Sequence, residues 1–445
     1  MSEKPVAADR RACHHRPLRL LVILILLFLG APGALFFFMS TGVALPRIRI
    51  EYDYDRCGGA HSSARIDRPP PSSPSPSPPP PGSVVDGAAE EPRLPPPPPP
   101  RQLTDPPLTL GPTMPDYDER RARWLRDNPR FPSFVSPGRP RVLVVSGSSP
   151  RRCSVPDGDH MLLRAFKNKV DYCRVHGFDI FYSTAVLDGE LNGFWTKLPL
   201  LRSLMLSHPE TEFLWWMDSD LMLTDMLAEP PWGRYARHNL VVPGWDDKVY
   251  VDRSWLGINA GSFIIRNCRW SLDLLDAWAR MGARGPVREM YGKRIAETLS
   301  DRGPYEACDQ SALVYLLVTE RARWIGKTLL ENSYSLHGFW AGIVDKYEEM
   351  RRPGGGEPVP LVTHFVGCKP CSGEDSSYDA AVCRRGMERA LNFADDQILS
   401  MYGFGHESLN TTAVLRVRND TGGPLDADDT ELGRLLHPAF RAANL

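Results

Sequence analysis

The 445 residues hold 42% hydrophobic side chains, enough to bury the core of one large domain with appendages. At a formal net charge of −1, no basic excess points to nucleic acid and no acidic tail points to a cation store. The 43 prolines are concentrated rather than spread, so they mark a spacer and not the folded part.

Residues 20–39 are almost wholly apolar (LLVILILLFLGAPGALFFFM), long enough to span a bilayer as a helix. Lys4, Arg10, Arg11, Arg16 and Arg19 outweigh Glu3 and Asp9 before the run, whereas charges balance over residues 46–56 after it. The positive-inside rule then predicts a cytosolic tail (1–19), a transmembrane signal anchor (20–39) and a lumenal remainder. A cleaved signal peptide is the rival; its apolar core would be shorter and a small-residue cleavage site would follow. Residues 40–115 read as a Pro-rich disordered stem, with six consecutive prolines at 95–100 that adopt extended polyproline II and pack no core.

A single catalytic domain is expected over residues 116–405. A short helix and lead-in occupy 116–140. From Arg141, strand and helix alternate: strand Val142–Val145, helix Met161–Val175, strand Phe178–Tyr182, helix Lys197–Ser207 and strand Phe213–Met217. Strands Leu240–Pro243 and Ser262–Ile265 follow, then helices Trp270–Met281 and Asp309–Thr319. A late strand, Leu361–Phe365, precedes a long helix, Tyr378–Met401, stopped by Gly403. This rhythm predicts an α/β, Rossmann-like fold: a mainly parallel sheet flanked by helices. Residues 406–445 read as a loose tail.

The chemistry starts at Phe213-Leu214-Trp215-Trp216-Met217-Asp218-Ser219-Asp220. An apolar run that stops in D-x-D delivers two carboxylates to the carboxyl edge of a sheet, where α/β sheets bind ligands. Such a pair can clasp one divalent cation, and the cation a diphosphate; it can also simply cap a helix or sit solvated in a turn. Far downstream, Thr363-His364-Phe365-Val366-Gly367-Cys368-Lys369-Pro370-Cys371 offers an imidazole, a glycine for close approach and a lysine that can meet phosphate. Oxygen ligands suit Mn²⁺ and Mg²⁺, and a nitrogen ligand tilts the choice towards Mn²⁺. His364 can instead be a hydrogen-bonded structural residue, and Lys369 a solvated charge.

No G-x-G-x-x-G or Walker A motif is present. Ser146-Gly147-Ser148 closes the first strand and either admits a nucleotide or makes an ordinary turn. In Gly257-Ile258-Asn259-Ala260-Gly261, the small residues leave room for a sugar ring, and Asn259 can bond its hydroxyls; a hairpin turn is the plainer reading. Asp309 and Gln310 open a helix, where they either cap it or reach the sugar at its reacting carbon. Trp232, Trp245, Tyr250, Trp255 and Trp340 fall in predicted loops around the strand ends, as a platform for a polysaccharide or as lids on the core. The Cys368-x-x-Cys371 pair has no second CxxC, which disfavours zinc and favours a structural disulfide involving one or both, with Cys383 a candidate partner. Asn410 and Asn419 begin N-glycosylation sequons.

The segments WWMDSD with LTDM after it, HNLVVPGW, DRSWLGINAGSFIIRNCRWS, DQSALVYLL and THFVGCKPC resemble the plant family-34 glycosyltransferases: xyloglucan xylosyltransferases and galactomannan galactosyltransferases. The resemblance runs from about Arg141 to His406. It implies a GT-A fold, a Golgi type II membrane enzyme and retaining transfer from a UDP-sugar. An α-1,6-linked residue is then added to a β-1,4-linked polysaccharide, mannan or glucan, with homo- or hetero-complexes with other synthesising enzymes expected. By the same resemblance Asp218, Asp220 and His364 match Mn²⁺ ligands, Lys369 a phosphate contact, and Asp309 and Gln310 donor-sugar residues. Cys308 departs from the family, many of whose members carry an acidic residue there. The xylosyltransferases carry a long charged insertion ahead of the THF motif. The short Trp340–Thr363 connection and NFADDQILSMYGFGHESL therefore favour the galactosyltransferase branch, UDP-galactose and mannan, with UDP-xylose and glucan second. No carboxylate stands out as a covalent nucleophile, which favours front-face attack. A non-catalytic partner subunit and a metal phosphoesterase are the rival classes; the second lacks its richer ligand cluster.

Overall fold

The computed structural model describes residues 98–350, 358–373 and 376–417. The apolar run 20–39, the expected cytosolic tail, most of the expected stem and Asn419 lie outside the described residues. The expected single-pass Golgi placement is corrected: no helix among the described residues is long and apolar enough to cross a membrane. The longest of them are amphipathic, with charged side chains along one face.

A short antiparallel ribbon, β1 (Phe134–Ser136) with β2 (Arg139–Pro140), precedes a six-stranded sheet. That sheet comprises β3 (Val142–Gly147), β4 (Asp179–Ser183), β5 (Phe213–Met217), β7 (Leu240–Pro243), β8 (Ser262–Arg266) and β9 (Thr328–Glu331), in the order β4-β3-β5-β8-β7-β9. A three-stranded sheet orders β10 (Gly338–Phe339), β11 (Val362–His364) and β6 (Leu221–Leu223) as β10-β11-β6. In the large sheet β8 alone runs against its neighbours, so the expectation of a mainly parallel sheet holds with one reversal. The reversal matters for function. It brings the start of β8, with Asn259-Ala260-Gly261 before it, to the edge where β5 ends, and Met217 pairs with Ser262.

Successive residues of β5 feed opposite faces, as a buried strand requires. Leu214 and Trp216 enter one core, and Phe213, Trp215 and Met217 the other. The longer helices are α1 (Tyr117–Asp127), α2 (Gly158–His176), α3 (Lys197–Ser207), α4 (Arg269–Ala279), α5 (Pro286–Thr298), α6 (Asp309–Thr319) and α7 (Ala380–Leu399). Helix α2 stops at Gly177, whose φ of 64° suits the left-handed residue after a helix. Helix α7 starts where the Asp379 carboxylate accepts the N–H groups of Ala381 and Val382. A third core cluster joins α7 to Trp340 and Phe365.

Two expected boundaries move. Residues 98–115, assigned to a disordered stem, lie on the domain: Leu108 is buried, Arg101 pairs with Glu190 at 2.6 Å, and Arg202 Nε donates to Leu110 O at 3.0 Å. Residues assigned to a loose tail include β13 (Val414–Arg416), which forms an antiparallel ribbon with β12 (Phe404–His406) at the end of the domain. Polyproline conformation prevents a segment from building a core, but not from lying along one.

Candidate active site

At the end of β5, the Asp218 N–H donates to Gly261 O at 2.8 Å, and Trp216 Nε1 donates to Asp218 Oδ1 at 2.7 Å. The chain turns through Ser219 and Asp220 into β6. Strand β6 pairs antiparallel with β11, and that register sets His364 opposite Leu221, beside Asp220. The Phe365 N–H closes the contact on Asp220 O at 3.0 Å. His364 Nε2 lies 3.3 Å from Asp220 Oδ1, and ligand atoms of Asp218, Asp220 and His364 all lie within 4.8 Å of one another. Burial works to raise the Asp220 pKa, but His364 and Lys369 outweigh it and hold the carboxyl below its usual value.

The third wall of this cluster is an absence of side chain. A Cβ on Gly261 would sit 2.2 Å from His364 Cε1 and 2.9 Å from Asp218 Oδ2. Two anionic oxygens and one imidazole nitrogen around that space fit a single Mn²⁺.

Behind the cluster lies a buried cation that the sequence reading missed. Lys197, at the start of α3, places Nζ 3.3 Å from Asp218 Oδ1 and 2.7 Å from Asp309 Oδ2, and donates to Ala260 O at 3.1 Å. Burial disfavours its charge, but the two carboxylates more than offset this and raise its pKa. Burial raises the pKa of Asp309, opposed by Lys197. Gln310 acts on the backbone: its Oε1 accepts from the Ala260 N–H at 3.1 Å, and its Nε2 donates to Trp255 O at 3.1 Å. Asn259 Oδ1 accepts from the Gly261 N–H at 2.9 Å. Asp309, Gln310 and Asn259 are thus brought to the site as its buried frame. The cap of α6 is Cys308, paired with Ser311, rather than Asp309.

Two further residues escaped notice. Lys169 of α2 is buried and donates to Leu221 O at 2.6 Å; burial pushes it down to about 8 although Asp220 and Asp218 pull the other way. His337 faces His364, Nδ1 to Nδ1 at 3.0 Å, and burial with the neighbouring His364 pushes its imidazole down to about 3. Neither sits in a motif whose spacing signals a ligand, so only the fold reveals them.

Lys369 occupies a turn pinned from both sides. Cys368 is bonded to Cys383 of α7, and Cys371 to Cys153, 218 residues away. The CxxC pair is therefore two separate staples. Between them Lys369 adopts a left-handed φ of 42° and reaches over the Phe194 ring, Nζ 5.1 Å from its centroid. Gly367, at φ 85°, makes the bend before it and accepts from the Ser377 N–H at 2.9 Å.

Ser146-Gly147-Ser148 closes β3 against β4. A Cβ on Gly147 would meet Ser183 O at 2.4 Å, and the Ser148 N–H donates to the same oxygen at 3.1 Å. Ser146 is buried, and its Oγ has no hydrogen-bond partner among the described residues. Beside it opens a cleft of about 300 Å³, lined by Ser148, Arg151, Arg152, Phe166 and Tyr182 among others. Of the five aromatics, Trp232, Trp255 and Trp340 are core and Tyr250 is half-buried, whereas Trp245 is 51% exposed. The Asn410 residue is exposed, with its Oδ1 accepting from Arg389.

The sequence model of the galactosyl transferase GMA12/MNN10 family matches residues 138–375. A probable glycosyltransferase 4 of Oryza sativa subsp. japonica is similar at 67% identity, with 98% of this chain and 95% of that protein covered. Xyloglucan 6-xylosyltransferase 1 of Arabidopsis thaliana is 57% identical, with 78% of this chain and 75% of its own covered. Among solved structures, a glycosyltransferase involved in the glycosylation of the major capsid of PBCV-1 is 15% identical, at a TM-score of 0.36 over 56% of this chain and 99% of that one.

Proposed function

The chain belongs to the galactosyl transferase GMA12/MNN10 family, glycosyltransferase family 34, and from that premise we propose a retaining, Mn²⁺-dependent transferase that moves xylose from UDP-xylose in α-1,6 linkage onto a β-1,4-glucan. One observation carries the chemistry: Asp218, Asp220 and His364 converge within 4.8 Å around the space that Gly261 leaves. The reading of the donor moves from galactose to xylose because relatives at 56–58% identity bear xyloglucan 6-xylosyltransferase names. Galactose and a mannan acceptor, suggested by the short Trp340–Thr363 connection, become the second reading.

Mn²⁺ on Asp218, Asp220 and His364 would supply Lewis acidity to the diphosphate of the departing UDP. Lys369, whose charge reaches Asp220, adds a counter-charge, leaving the Phe194 ring for a phosphate oxygen. The nucleoside lies towards Ser146-Gly147-Ser148 and its cleft. Lys197, Asp309, Gln310 and Asn259 hold the Ala260-Gly261 backbone against the donor sugar, and the exposed face of Trp245 meets the acceptor chain.

The test is UDP release with UDP-xylose or UDP-galactose, each offered with cello- and manno-oligosaccharides, in Mn²⁺ or EDTA. Xylosylated cello-oligosaccharide, lost in EDTA, is expected. Galactosylated manno-oligosaccharide alone would overturn the donor and acceptor, and undiminished transfer in EDTA would overturn the metal.

A further inference from the structure

We infer that His337 is a positioning residue for the metal ligand His364: its Nδ1 accepts the His364 Nδ1–H and so keeps the His364 Nε2 lone pair directed at the Asp218–Asp220 cluster. The inference rests on the metal reading above. Its geometry is direct. The two Nδ1 atoms are 3.0 Å apart, and the rings stand at 90° with centroids 5.0 Å apart. At that distance one nitrogen must donate and the other accept. His364 Nε2 faces Asp220 Oδ1 at 3.3 Å, on the side of the ligand cluster. A neutral imidazole that ligates through Nε2 carries its proton on Nδ1. His337 Nδ1 is then the acceptor, its own proton resting on Nε2. One hydrogen bond therefore selects both tautomers and fixes the plane of the ligating ring.

The fold builds this contact deliberately. Strand β10 follows His337 directly and pairs parallel with β11, Gly338 with Thr363 and Phe339 with His364. A Cβ on Gly338 would lie 2.4 Å from Val362 O, so glycine permits the approach that brings the two histidines together. The two-residue strand thus delivers a ring nitrogen to the back of a ligand whose front meets two carboxylates.

Two substitutions separate positioning from packing. His337→Asn keeps an acceptor near the place of Nδ1, whereas His337→Phe keeps ring volume and removes it. Mn²⁺ affinity of the full chain, without donor, is read by electron paramagnetic resonance titration, with thermal unfolding as the check on folding. His337→Phe should weaken Mn²⁺ about 10- to 100-fold, and His337→Asn should stay within about threefold of wild type. A folded His337→Phe protein that binds Mn²⁺ like wild type overturns the inference alone, as does an equal loss in both variants. If His337→Phe does not fold, the asparagine variant decides: within threefold supports the inference, and a larger loss overturns it. Wild type that binds Mn²⁺ no better than His364→Ala overturns the metal reading and this inference with it.

Discussion

Lys197 Nζ lies 2.7 Å from Asp309 Oδ2 and 3.3 Å from Asp218 Oδ1, so one buried cation joins the carboxylate that opens α6 to the carboxylate that closes β5. Sequence places Asp309 112 positions from Lys197 and 91 from Asp218; the ion pair makes them one unit. Lys197→Met leaves Asp309 buried without its counter-charge, and breaking such a pair costs about 3–5 kcal/mol. Denaturant unfolding should register that loss, and UDP release should disappear. Adding Asp309→Leu should restore stability, since an apolar pair replaces a half-removed ionic one, without restoring transfer. Wild-type stability in Lys197→Met would show that the pair contributes nothing.

Gly261→Ala should abolish Mn²⁺ binding while the fold survives. The added methyl has to occupy the place where His364 Cε1 and Asp218 Oδ2 now lie, so ligands and not core must move. Calorimetry with Mn²⁺ and circular dichroism on the same sample provide the check; normal Mn²⁺ affinity would remove the cluster from consideration as a metal site.

Lys169 makes a pH prediction for the metal-free protein. Burial lowers its pKa from 10.5 to about 8. Between those values the unfolded chain binds the proton that the folded chain has released, so stability rises with pH across that window. Its penalty, on the order of 3 kcal/mol, is fully present below about 8 and relieved towards 10.5. Unfolding measured at pH 7.5 and 10 should show the gain in wild type relative to Lys169→Met. Parallel pH profiles would contradict it.

Reduction of the disulfides should damage phosphate binding through Lys369. Cys153–Cys371 closes a very long loop, and Cys368–Cys383 ties the same turn to α7. Loss of one staple, as in Cys153→Ser, should cost about 2–5 kcal/mol of stability. UDP affinity should fall in Cys153→Ser and Cys371→Ser alike, as measured by calorimetry. Unchanged affinity in both would mean that the Lys369 turn holds itself.

Trp245→Ala should raise the acceptor KM about tenfold with little change in kcat, because exposed aromatic anchors contribute binding rather than chemistry. A fall in kcat with KM unchanged would place Trp245 at the donor instead.

Much of the site was legible in the chain because its residues sit where a regular pattern ends. A strand of apolar residues that stops in Asp218-Ser219-Asp220 pointed to a sheet edge, and the involvement of Cys368 and Cys371 in structural disulfides was readable in Gly367-Cys368-Lys369-Pro370-Cys371. The alternation of strand and helix from Val142 to Leu399 was likewise readable, since periods of 2 and 3.6 survive in the sequence of long elements. Helix α5, whose buried residues are Arg288, Gly292 and Ile295, has too few buried positions to show a period, and the strands β6, β9 and β10 are too short to show one.

The sequence by itself determined the chemical inventory: two carboxylates at a strand end, one imidazole, one lysine between two cysteines, and small residues before β8. Tertiary structure alone decided which of them form a unit. The reversed β8 brings Gly261 to Asp218, the β6–β11 register brings His364 to Asp220, and β10 brings His337 to His364. It also assigned Lys197 and Lys169, whose charges can be buried only because carboxylates or carbonyls elsewhere in the chain meet them. A buried lysine in a helix carries no local mark of its partner: the compensation that makes burial tolerable is non-local, and distance in space is the one quantity a linear sequence does not contain.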